Sequence, residues 1–255
     1  MSAPTRFPSG VSTVAVNKSL GMFPAPDPTK VAIDFQDFNQ YVAADWTVTN
    51  TTSHQTIGLV AGANGVVSSA GGGSSVTGDI GAIIKNPLNF NLPVNAGGST
   101  IPPTSQAWFS GTMKATTALN DQLQLGITSA NAALTPTDGI YFNKAAGSTS
   151  ITFVVVKSSA ALAATAYSTG TTTVATLANA TAVELGWYYN GKGQIDVFVN
   201  DVKVCSVDVG LSGTVSTSFP QAVAMAPGFG VKAAATAPTT ANIIVDYLLS
   251  AQDRV

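Results

Sequence analysis

Glutamate is almost missing from this sequence. Glu184 is the single example in 255 residues, and histidine and cysteine also occur once each, as His54 and Cys205. Asp, Glu, Lys and Arg together make up 9% of the chain, against roughly 25% in an ordinary soluble protein. Each scarcity removes a class of chemistry. One cysteine cannot form an intrachain disulfide or build a cysteine-based zinc site. One histidine cannot supply a several-histidine metal site, and a catalytic triad would have to use His54. That residue lies in the polar run 50–55 with no suited neighbour, and it reads as a solvated loop residue. Cys205 sits in the apolar alternation Val202, Val204, Val207, which reads as a strand residue and not a reactive thiol. The eleven Lys and Arg are scattered from Arg6 to Arg254 and the net charge is −2, so no basic cluster forms a phosphate-tracking groove. Nucleic acid is therefore not an expected partner. No apolar run approaches the roughly 20 residues of a bilayer-spanning helix, so no membrane is expected either. The first residues, Met1-Ser2-Ala3-Pro4-Thr5-Arg6, carry no apolar signal core. The expectation is folding in a host cytoplasm.

What remains is apolar and neutral. Hydrophobic residues are 45% of the chain, enough for the core of one large β-sandwich. The surface must then be Ser, Thr, Asn, Gln, Gly and Ala. Such a surface has few charges to desolvate when another molecule packs on it. It fits an assembly or adhesive surface, and it equally fits weak selection for charge.

Residues 1–29 differ from the rest. Pro4, Pro8, Pro24, Pro26 and Pro28 block helix interiors and central strands. The segment reads as an extended arm with one short strand over Val11 to Val16. Its apolar residues Phe7, Val14, Val16, Leu20, Met22 and Phe23 are the expected partner-binding residues. Residues 30–255 read as a β-sandwich domain. Expected strands run Val31 to Phe35, Trp46 to Thr49, Thr56 to Val60, Ile80 to Ile84, Ala107 to Thr116, Gln122 to Thr128 and Gly139 to Asn143. They continue through Thr149 to Lys157, Ala182 to Tyr189, Gln194 to Val199, Val202 to Val209, Ala222 to Lys232 and Ala241 to Ser250. Turn signals such as Asn64-Gly65, Asn86-Pro87 and Ser212-Gly213 separate them, the pattern of a sandwich or barrel. Ser159 to Thr165 is open between a helix and a loop or strand edge.

The clearest local signal is the stretch from Val183 to Val204. Asn190-Gly191 favours a hairpin turn, and Asn200-Asp201 makes a second reversal. Ile195, Val197 and Val199 then share one face, and Asp196, Phe198 and Asn200 the other. A three-stranded antiparallel meander follows. This stretch resembles the late hairpins of concanavalin-like lectin and laminin-G-like domains. Trp108 to Lys114 with Gln122 to Thr128 resembles their central strands, and Ile243 to Leu248 their last strand. The resemblance implies an all-β, antiparallel jelly-roll sandwich. The whole chain also resembles structural proteins of tailed-phage particles, through its proline-rich arm and its Ala/Thr/Ser/Gly/Val composition. That likeness implies a non-enzymatic capsid decoration or cement subunit on the virion surface. It would bind the major capsid protein or other virion proteins, form homo-oligomers, and use no cofactor.

Site chemistry is thin. Glycosidases on this fold pair carboxylates, with two Glu and an Asp between them on one strand. Here Glu184 is followed two and four residues on by Gly186 and Tyr188, so hydrolysis is not expected and no catalytic residue is assigned. Asp34, Asp37 and Asn39 read as turn caps before they read as calcium ligands. Gly71-Gly72-Gly73 has no lysine or helix after it, and reads as a loop. Trp46, Trp108 and Trp187 read as core. A glycan-binding module or adhesin is the alternative function, with Tyr141, Tyr188 and Tyr189 as candidate loop aromatics.

Overall fold

The computed structural model describes residues 11–12, 24–25, 29–38, 40–50, 55–59, 67–71, 78–86, 90–129, 133–234 and 242–254. In chain order the strands are β1 Val11–Ser12, β2 Pro24–Ala25, β3 Val31–Gln36, β4 Trp46–Asn50, β5 Gln55–Leu59, β6 Val67–Gly71 and β7 Ile80–Lys85. Next come β8 Ala107–Met113, β9 Gln122–Thr128, β10 Gly139–Lys144, β11 Ser150–Lys157, β12 Ala160–Ala161 and β13 Thr173–Thr176. Last are β14 Val183–Tyr189, β15 Gln194–Val199, β16 Val202–Asp208, β17 Ala226–Lys232, β18 Asn242–Val245 and β19 Leu248–Asp253. Helix is confined to two single 3-10 turns among the described residues, Ala43–Asp45 and Ala164–Ala166.

Two antiparallel sheets form the expected sandwich. The six-stranded sheet has the order β16-β15-β14-β8-β19-β3, and the larger sheet runs β12-β11-β10-β9-β17-β7-β4 with β13 also paired to β11. A third small sheet, β18-β6-β5, sits beside them, and β1 pairs with β2. The jelly-roll signature lies in the neighbours that are distant in sequence: β8 lies between β14 and β19, and β9 between β10 and β17.

Alternation decides which side chains fill the space between the sheets. In β8, Ala107, Phe109 and Met113 are at most 1% exposed, while Trp108, Ser110 and Thr112 are half-buried on the other face. In β14, Val183, Leu185, Trp187 and Tyr189 point in, and Glu184 and Tyr188 point out. Trp187 stacks on Phe109 at 6.3 Å, and Phe90 meets it edge-on at 6.2 Å. Phe142 and Phe153 pack at 5.1 Å from the opposite sheet. These rings are buried at 4% exposure or less, and each adds a large apolar area to the core between the sheets.

Several expected bounds shift for local reasons. Ala241 to Ser250 is two strands, because the chain leaves the small sheet at Asp246-Tyr247 and enters the six-stranded one. Ala222 to Lys232 begins only at Ala226, since Ala222 has φ 57° and cannot continue a strand. The β8 strand stops at Met113, three residues short of Thr116. Ser159 to Thr165 resolves into both open alternatives, an edge strand at Ala160–Ala161 and a 3-10 turn at Ala164–Ala166. In the arm, β1 covers Val11–Ser12, and the rest of the expected Val11 to Val16 strand lies outside the described residues.

Candidate binding site

The outer face of the six-stranded sheet carries an open cleft of about 360 Å³. Its floor is Gly186, and Trp108, Tyr188, Phe198, Glu184, Ser110 and Asp201 line it. Register explains the grouping. Gly186 lies between Ser110 on β8 and Phe198 on β15, and Tyr188 lies between Trp108 and Asp196. Residues opposite one another in an antiparallel pair share a face. Three aromatic side chains therefore surround a position with no side chain.

The acidic end of the cleft is set by a turn. Asn200 and Asp201 both have positive φ, 48° and 62°, the geometry of a two-residue hairpin reversal that matches strand twist. Asn200 is clamped to β14. Its backbone N–H donates to the Glu184 carbonyl at 2.9 Å, and its Oδ1 accepts from the Glu184 N–H at 3.0 Å. Asp201 is thereby held at the same end of the cleft as Glu184.

The Glu184 carboxylate is oriented from a third strand region. The Tyr247 hydroxyl donates to Glu184 Oε1. Ser110 Oγ lies 3.3 Å from that oxygen and 2.9 Å from the Tyr247 oxygen. Burial, the hydrogen bond to Glu184 and the charges of Glu184 and Asp201 all push the Tyr247 hydroxyl up, so it remains a proton donor. Tyr188 is also pushed up, by burial first and then by the charges of Asp253 and Asp196. Lys203, opposite Phe198, is bound to Asp196 Oδ1 at 2.9 Å. Ser206 Oγ donates to that same oxygen at 2.8 Å.

The sequence reading placed several of these residues elsewhere. Trp108 is not core. Strict alternation allows one of Trp108 and Phe109 inside, and Phe109 takes the place, which leaves Trp108 on the cleft wall. Trp187 and Trp46 are core as expected, at 1% and 6% exposure. Tyr141 and Tyr189 are not loop aromatics. They lie in β10 and β14 at 8% and 0% exposure, and the Tyr189 hydroxyl donates to the Pro103 carbonyl at 2.7 Å. Tyr188 is half-buried and faces the cleft, but from a strand. Asp201, read only as part of the second reversal, shares the cleft with Glu184.

Other expected residues lie apart. Phe7, Val14, Val16, Leu20, Met22 and Phe23 fall outside the described residues, as do His54 and Asn39. Asp34, read as a turn cap, lies inside β3, and Asp37 lies just past the end of that strand. The β3 strand ends at Gln36, and Phe38 turns at φ 53° to pack on Trp46 and Phe229. Among the described residues no three His, Cys, Asp or Glu side chains form a metal-ligand group. Cys205 is buried in β16, and burial pushes its thiol up, away from reactivity.

No protein-family model and no curated protein matches the sequence. Solved structures do match in fold. A protein of unknown function from Shewanella oneidensis MR-1 superposes with TM-score 0.56 at 16% identity, over 88% of this chain and 87% of that one. Peanut lectin superposes with TM-score 0.54 at 8% identity, over 87% and 97%. The Crh5 transglycosylase in complex with NAG gives 0.52 at 13% identity, over 86% and 83%. The fold is thus the concanavalin-like, legume-lectin type of β-sandwich.

Proposed function

We propose that this chain is a non-enzymatic carbohydrate-binding module, and that the sugar sits in the cleft over Gly186. One observation supports this above the others: three aromatic side chains and two carboxylates surround a glycine on an otherwise continuous sheet face. Aromatic rings stack on the apolar face of a pyranose, while carboxylate and hydroxyl oxygens accept its hydroxyl protons. Lectin-type neighbours share the fold, and so does a transglycosylase, so the fold alone does not divide binding from turnover. The cleft does favour binding. Positions 184, 186 and 188 face it together and present a carboxylate, a hydrogen and a phenol, where glycosidases of this type would need paired acids on the strand. The test is titration calorimetry against a panel of oligosaccharides. Trp108→Ala should lower affinity about tenfold or more, the size expected for truncating a central aromatic anchor. Undiminished binding by that variant refutes the site, and release of shortened oligosaccharide on long incubation refutes the non-enzymatic half.

A second reading is a particle-surface subunit that joins a capsid or further copies through residues 1–29 and the adjoining sheet edge. Its support is that β3, which continues directly from that arm, is an edge strand and leaves Ile33 and Phe35 43% and 56% exposed on the outer face. Deleting residues 1–29 should leave a folded sandwich that no longer joins a particle; unchanged incorporation removes this reading.

A further inference from the structure

The cleft also has a sign. Resting on the carbohydrate-binding reading, we infer that the preferred ligand is a glycan bearing a free, protonated amine, and that neutral or acidic sugars are the poorer ligands. Glu184 and Asp201 are the charged residues lining the cleft, and both are acidic. Neither forms a salt bridge among the described residues. Glu184 is held by two hydroxyl groups, which orient its carboxylate and leave its charge uncompensated. The cation on this face, Lys203, is already bound to Asp196. That contact leaves it poorly placed to neutralise a ligand carboxylate. Asp253 adds negative potential at the Tyr188 end.

The walls reinforce the same choice. Trp108, Tyr188 and Phe198 present ring faces and edges around the space above Gly186. An ammonium group over such a ring is attracted by its quadrupole, and more strongly where water is partly excluded. A uronate or sialate would meet two carboxylates, and like charges at close range in a partly desolvated cleft repel. An N-acetylated sugar offers neither attraction nor repulsion of this kind. The amine of a glucosamine unit satisfies both the charge and the ring stacking at once, with its hydroxyls left for Ser110 and the second carboxylate oxygen.

The experiment uses the full chain and oligosaccharides of matched length: glucosamine oligomers, N-acetylglucosamine oligomers, and uronate-containing oligomers. Affinity is measured at mildly acidic pH, about 5.5, where a sugar amine is protonated, at two salt concentrations. Glucosamine oligomers should bind at least roughly fivefold more tightly than their N-acetylated counterparts, the scale of one charge–ring contact plus a screened ion pair. Added salt should erode that preference. The double variant Glu184→Gln, Asp201→Asn should abolish the preference while weak, salt-insensitive binding persists. Equal or tighter binding of the N-acetylated oligomers, lost in Trp108→Ala, would refute the amine preference and leave the carbohydrate-binding reading standing. Binding of none of the three classes would refute both.

Discussion

On the outer face of the larger sheet, Gly126, Gly228 and Gly230 leave a hollow that the chain fills itself; on the outer face of the six-stranded sheet, Gly186 leaves one that stays open among the described residues. The two hollows have a common origin. Glycines in adjacent strands remove side chains from one face of a sheet. In the larger sheet, Gly126 pairs with Tyr141 and Gly228, and Gly230 pairs with Ala82. Leu134 covers the gap at 2% exposure and its carbonyl accepts from Gln122 Nε2 at 3.1 Å. A side chain added at Gly230 would meet Leu134 Cδ2 at 2.6 Å. At Gly186 the nearest atoms to an added Cβ are the Phe109 carbonyl oxygen at 3.2 Å and the Ser110 side chain at 3.8 Å, both on the sheet itself. A missing side chain becomes packing where the chain folds over it and leaves an open cleft where it does not.

That contrast can be broken by substitution, and the expected effects fall in a clear order. Gly228→Ala should be the most damaging, because its Cβ would sit 2.4 Å from the Ile83 carbonyl oxygen, which is backbone and cannot turn aside. A loss of about 3 kcal/mol in urea denaturation is expected; a loss under about 1 kcal/mol would show that the closed hollow has slack. Leu134→Ala should cost about 2–4 kcal/mol by leaving a cavity, and should raise binding of an apolar dye if the hollow opens to solvent.

The third test concerns charge on the inner side of the larger sheet. Lys144 is fully buried, and its Nζ donates to the Asp121 backbone carbonyl. Burial lowers its ammonium to about 8, and the negative charge of Asp121 only partly opposes this. Between about pH 8 and the ordinary lysine value the unfolded chain binds more protons than the folded one, so stability rises with pH. An increase of roughly 1–2 kcal/mol between about pH 7.5 and pH 9.5 is expected. Lys144→Met should flatten that slope, whereas an equal slope in the variant would assign it to another group. The smallest change in stability belongs to Gly186→Leu, within about 1 kcal/mol at a half-open strand position, yet it should remove oligosaccharide binding by occupying the cleft. A variant that unfolds, or that still binds, would erase the distinction between the two hollows.

Much of this architecture is legible in the residues. The β9 and β15 strands have the expected bounds, Gln122 to Thr128 and Gln194 to Val199, because alternation and flanking turns agree there. Two strands escape. Val67–Gly71 and Thr173–Thr176 are short and polar, and they gain their strand character from their neighbours on β5, β18 and β11. Part of the cleft can be read locally. Pairing Tyr189 with Ile195 sets Gly186 against Phe198 and places Glu184 beside the Asn200 turn. Trp108, Ser110 and Tyr247 cannot be added by local rules. The hydrogen bonds of Ser110 and Tyr247 span separations of 63 to 137 residues, and Trp108 pairs with Tyr188 and Ala251, contacts that the jelly-roll connections bring together.

The Asn200-Asp201 reversal has a consequence for how such a cleft could diversify. Asn200 supplies the geometry and the clamp to β14, while the neighbouring exposed position contributes mainly its charge. Replacing Asp201 by glycine or asparagine, which also accept its φ of 62°, would remove the charge at the mouth and leave the hairpin intact. Selectivity and architecture are thus assigned to adjacent residues, so one can drift while the other stays fixed.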